Sequence, residues 1–185
     1  MFNKVRGWKR IQLSSSDFVV FLNANFKASE EDVKKLKDET SADLSECTEF
    51  YDVKKLKVVG LLQCKGEKEE RIKALFETLQ PIDQTVMTCN DKDIMTYLKV
   101  VFDVATELVF LEMRKDPKLA DEVKEITDEK IAEVKKTYDD AITEFIDTVF
   151  EYEAKLSKDD WISTVEEKAA WIINSSEIRA KFYPK

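Results

Sequence analysis

Along most of this chain apolar residues recur every three or four positions, the spacing that lines up one face of an α-helix. At the start, Phe2, Val5, Trp8 and Ile11 stand three apart with Lys4, Arg6, Lys9 and Arg10 among them. As a helix this stretch is amphipathic, and three readings fit it: docking on the rest of the body, contact with a membrane surface, or a transit peptide. The apolar run Phe18–Phe26 fits a helix or a short strand. Ser29 followed by Glu30, Glu31 and Asp32 reads as the cap of a helix reaching about Glu39. Phe50, Val53, Leu56, Val59 and Leu62 form another stripe, interrupted by Gly60, with a strand over Lys57–Leu62 as the alternative. Ile72, Leu75, Phe76 and Leu79 mark a helix that stops at Pro81.

The longest apolar segment covers about 90–114. Ile94, Leu98, Val101, Ala105, Leu108 and Leu111 define one face, and Val100, Phe102, Val104, Val109 and Phe110 cover much of the rest. A helix apolar nearly all round belongs in the middle of a bundle. Lys99, Asp103 and Glu107 interrupt it, so it is not read as a membrane span. Thr127 caps a further long helix through Ile131, Val134, Tyr138, Ala141, Phe145, Val149 and Tyr152, whose natural partner is the apolar helix before it, antiparallel. Ser157 caps a helix through Trp161, Val165 and Trp171, and Asn174 starts a short last one.

Composition supports helix. The 185 residues hold three glycines, three prolines and no histidine, too few breakers for a turn-rich sheet protein. The predicted fold is all-α: a multi-helix bundle of helix–loop–helix units around the buried central helix, as one domain over 1–185 or two lobes of about 1–85 and 86–185. Four basic residues precede Asp17, leaving 26 basic against 38 acidic side chains in the remainder. An acidic body of this kind argues against nucleic acid as a partner.

The missing histidine removes the usual base of serine and cysteine triads and the usual ligand of catalytic zinc. Phosphate-cradling glycine motifs are absent as well. Catalysis is therefore not expected; a histidine-independent enzyme using carboxylates is the remote alternative. Cys47, Cys64 and Cys89 are an odd number without close spacing, which suits free thiols and a cytoplasmic location.

A rhythm recurs three times: an apolar helix end, a polar stretch, then Ser or Thr three residues before Asp. It runs from Phe18 to Asp32, from Phe76 to Asp91, and from Ile146 to Asp160, where the phrase LSKDDWISTV closes it. This resembles the EF-hand family, most closely the four-hand sarcoplasmic calcium-binding proteins and photoproteins. A calcium loop needs oxygen ligands at positions 1, 3, 5, 7 and 9, glycine at 6 and an acid at 12. Counted back from Asp91, the middle loop opens with Gln80, Ile82 and Gln84, and no copy has the glycine. The resemblance thus implies degenerate loops in which Asn23, Asn25, Asp32, Glu151, Glu153 and Asp160 are the candidate calcium ligands. No other cofactor is expected.

These readings converge on a non-catalytic binding protein acting through a protein partner or ligand, with Phe2, Val5, Trp8, Phe102, Phe110 and Trp161 as candidate contact residues. The alternative is an intracellular carrier of a lipid or other apolar small molecule held between the helices.

Overall fold

The computed structural model describes residues 27, 30, 33–34, 53–63, 66–80 and 85–183. These residues form an all-α fold with one two-stranded ladder. The order is α1 (Val53–Gln63), α2 (Lys68–Leu79), β1 (Val86–Thr88), α3 (Lys92–Asp103), a π-helical turn (Val104–Leu108), α4 (Val109–Lys115), α5 (Asp128–Lys136), α6 (Tyr138–Phe150), β2 (Lys155–Ser157), α7 (Lys158–Lys168) and α8 (Ser175–Phe182). Single 3-10 turns occupy Ala120–Glu122 and Ala170–Ile173. Lys57–Leu62 lies inside α1 and is helical. Glu30, Val33 and Lys34 are helical, while the Ser29 cap and the rest of the helix expected to reach about Glu39 lie outside the described residues. The Phe18–Phe26 run and the segment from Phe2 to Ile11 lie outside the described residues.

Polar residues start the helices where the sequence places them. The Thr127 hydroxyl accepts from the Lys130 amide, Ser157 from Asp160, and Asn174 from Ser176, each satisfying a donor that the first helical turn leaves open. The middle copy differs. Thr88 sits in β1, and the cap of α3 is Asp91, whose carboxylate accepts from the Asp93 amide at 2.9 Å.

α3, the π turn and α4 run without interruption from Lys92 to Lys115, so the expected central helix is present. Ile94, Leu98, Val101, Phe102 and Ala105 are buried along it, inside a core shared with Val58, Phe76, Phe145, Trp161 and Ile178. Its downstream half departs from the expected face. Leu111 is only half-buried, while Val109, Phe110 and Met113 are buried in a second cluster with Val123 and Tyr183. The π turn explains the change, because one extra residue in the turn rotates everything after it by about 100°.

Two other expectations are corrected. The helix predicted from Thr127 to Tyr152 is divided at Thr137, whose hydroxyl bonds back to the Val134 carbonyl at 2.8 Å, a competition that disturbs helix interiors. Tyr152 lies beyond the end of α6 and is fully exposed. The helix after Ser157 ends at Lys168, and Trp171 belongs to the following 3-10 turn, where Ile172 and Ile173 enter the core. The antiparallel partner of the central helix is α6. Tyr138 at its start lies by Phe102 and Thr106, and the far end leads to the strand beside Thr88.

Candidate functional site

Two helix–loop–helix units stand side by side: α2–β1–α3 and α6–β2–α7. Their strands pair antiparallel, with Val86 opposite Ser157, Met87 opposite Leu156 and Thr88 opposite Lys155. Met87 precedes Asp91 by four residues, and Leu156 precedes Asp160 by four. Equivalent positions of the two loops therefore meet, and antiparallel pairing of equivalents relates the units by a local two-fold. The Cys89 amide extends the pairing by donating to the Ala154 carbonyl at 3.2 Å. Below the ladder Met87 is buried, and the Phe76 and Trp161 rings meet edge to face with centroids 5.4 Å apart. Such pairs add roughly 0.5–1.5 kcal/mol beyond area burial.

Twelve positions counted back from Asp160 begin at Val149, which is buried at the end of α6 and offers no side-chain oxygen. Glu151 occupies the third position. Its backbone is left-handed at φ 48°, which is unusual for a residue other than glycine, and its carboxylate takes the Lys168 ammonium. Glu153 is exposed at the fifth position. Asp160 accepts the Ser157 hydroxyl at 2.6 Å while its own amide donates back to that hydroxyl. Glu151 and Asp160 are thus committed to the chain's own donors, and the donor set of this loop does not fit a calcium cage. Among the described residues, no three His, Cys, Asp or Glu side chains are grouped to hold a metal ion. Gln80 opens the neighbouring loop, with its amide nitrogen buried and without a hydrogen-bond partner among the described residues. Ile82, Gln84, Asn23, Asn25 and Asp32 lie outside the described residues.

The aromatic candidates among the described residues, Phe102, Phe110 and Trp161, lie in the core. Phe102 packs against Tyr138, Trp171 and Phe182, with its centroid 4.9 Å from that of Phe182. Phe110 meets Tyr183 at 5.2 Å, and Trp161 is wholly buried against Phe76. A cavity of about 190 Å³ beside the π turn is lined by Lys55, Val100, Asp103, Val104, Glu107, Leu108 and Leu111. It is smaller than the roughly 300–1,000 Å³ of ordinary ligand pockets. An open groove of about 600 Å³ follows the outer side of α6. Its walls carry Asp140, Glu144, Asp147 and Glu151, opposite Lys168, and Lys181 holds Glu144 at 2.7 Å.

Charge gathers at the edge of the bundle beside the π turn, where the sequence sets Asp103 and Glu107 among the apolar residues of the central helix. Lys135 bridges Glu107 at 2.6 Å and Asp103 at 3.3 Å. Burial raises the Asp103 carboxyl above its ordinary value against the pull of Lys135. The Tyr138 and Thr106 hydroxyls share a hydrogen bond across 2.6 Å, and burial pushes the Tyr138 hydroxyl well up from the usual tyrosine value. Arg179 is almost wholly buried, and desolvation brings its guanidinium down to about 10, still charged at neutral pH. No family model, curated protein or solved structure matches this chain.

Proposed function

We propose that this chain is a non-catalytic helical binding protein on an EF-hand-like scaffold whose loops have largely lost their calcium ligands, so that it acts through a protein partner or ligand. One observation carries the reading: two helix–loop–helix units joined through equivalent loop positions, Met87 against Leu156. A short polar loop between two apolar helices is commonplace. Two such loops paired in register, each closed by an acid four residues later, are a specific arrangement.

The loop chemistry supports the rest. Where a calcium loop presents its first oxygen, this chain has Val149 in the core, and the Glu151 carboxylate already holds Lys168. The ladder is held by backbone hydrogen bonds and the buried Met87 side chain, which need no ion. The absence of histidine from the whole sequence supports a role outside acid–base catalysis. None of the helices over the described residues is long and apolar enough to cross a membrane, which favours contact through surfaces and loops.

Calcium titration by calorimetry, with melting followed in parallel, tests this reading. Saturable heat below about 10⁻³ M calcium, the weak end of EF-hand affinities, would return the protein to the metal-binding class. The expected result is no saturable heat and no shift in melting.

A further inference from the structure

We infer that the π turn Val104–Leu108 is a register lock on the central helix, closed from one side by Arg179 of α8 and from the other by Tyr138 of α6. The lock is independent of the loops and of their metal content.

A π turn holds one residue more than the α-helical path it replaces. The helix on its two sides is therefore out of step by about 100° and 1.5 Å. Upstream, Ile94, Leu98, Val101 and Ala105 follow an α-helical stripe. Carried on at the same period, that stripe reaches Leu108 and then Leu111 and Glu112, neither of which is fully buried. The structure instead seats Val109, Phe110 and Met113 in the second cluster. The extra residue is what delivers Met113 there in place of a carboxylate.

Such a turn disturbs the usual pairing of backbone carbonyls, and here one of them, that of Ala105, receives a side chain from a neighbouring helix. Arg179 donates to the Ala105 carbonyl at 3.0 Å. The Thr106 hydroxyl donates to the Phe102 carbonyl at 2.9 Å and shares a hydrogen bond with the Tyr138 hydroxyl at 2.6 Å. Both bonds from neighbouring helices land on adjacent residues of the turn. Among the described residues, the guanidinium's other contact is to the Ser176 hydroxyl at 3.4 Å, and its buried Nε has no hydrogen-bond partner. Burying a charge on so few partners is expensive. Arg179 is therefore placed to hold the carbonyl that the π register exposes, in a way a leucine at that position would not.

Opening the lock lets the turn relax toward the α path and rotates Val109–Lys115. Phe110 then leaves Tyr183, one helical turn beyond Arg179, and Arg114 draws on Ile126 and Asp128, to which it is bonded. Any event that lifts α8 is in this way transmitted along α4 to the start of α5.

Hydrogen exchange read by mass spectrometry on Arg179→Met and Thr106→Val tests the lock. In both variants the amides of residues 104–113 are expected to exchange at least tenfold faster than in the wild type, while those of α2 and α7 keep their rates. Proton contacts between the Phe110 and Tyr183 rings weaken, and those between Phe76 and Trp161 persist. Unchanged exchange over 104–113 in both variants would overturn the inference. Acceleration by the same factor in α2 and α7 would also overturn it, since the residues would then be ordinary core. If Arg179→Met does not fold, Thr106→Val decides alone.

Discussion

Met87 and Leu156 lie directly opposite one another in the ladder, Met87 buried and Leu156 half-buried against the same core. Val86, one residue earlier, is exposed. Alternation along a strand makes the two positions opposite tests of a single element. Met87→Ala is expected to cost about 2–5 kcal/mol of unfolding free energy, the range for buried large-to-Ala changes. Val86→Thr should stay within about 0.5 kcal/mol, as surface changes do. Urea unfolding measures both, and equal costs at the two sites would contradict the register.

Gly60 lies inside α1, and a Cβ built on it meets no atom within 4 Å. Gly60→Ala therefore removes unfolded-chain entropy without a clash, and a gain of about 0.4–1 kcal/mol is expected. A thermal melt checks this. A lower melting temperature would show that this stretch is not helical.

The bundle was the more legible part of the sequence. Apolar spacing placed α2, the central helix and α6, and Thr127, Ser157 and Asn174 marked helix starts correctly because a cap is a local event. The π turn was hidden, since Val104, Val109 and Phe110 are apolar on every side and any register through them looks acceptable. The break at Thr137 depends on one hydroxyl choosing a carbonyl, which a stripe of Val134, Tyr138 and Ala141 conceals. The strands were missed because three residues are too short to show alternation, and their pairing joins positions far apart in sequence. Phe102, Phe110 and Trp161 illustrate a further limit: a large aromatic at a helical spacing looks the same in a packed core as in a binding wall.

Asp103 gives a pH dependence. Its folded-state pKa is raised, chiefly by burial, with Lys135, Glu107 and Tyr138 around it. The folded protein therefore binds the proton more tightly than the unfolded chain, and this group lowers stability as pH rises from about 3.8 through the folded value. Asp103→Asn should be the more stable protein at pH 7, by under about 1 kcal/mol because the side chain is partly solvated. The advantage should shrink as the pH is lowered toward 3. Chemical unfolding at several pH values measures it, and a variant weaker at pH 7 would show that the Lys135 pair outweighs burial.

Tyr183 is buried against Phe110, and its hydroxyl has no hydrogen-bond partner among the described residues. Removing an unpaired buried hydroxyl relieves a desolvation cost of about 1–3 kcal/mol in the limiting case. Tyr183→Phe is expected to match or exceed the wild type in urea. The same burial pushes the hydroxyl up to about 12, so in an alkaline absorbance titration the variant should show one late-titrating tyrosine fewer than the wild type, Tyr138 remaining. A loss above about 1 kcal/mol would reveal a hydrogen bond for Tyr183.

Two helix–loop–helix units are paired through their loops, Met87 against Leu156, by backbone hydrogen bonds and apolar packing. Proton–proton contacts across the ladder between Met87 and Leu156, recorded by NMR in excess chelator, decide whether this pairing forms without a metal ion. They should be present in chelator and unchanged when calcium is added. Contacts that are missing in chelator and appear only with calcium would contradict it.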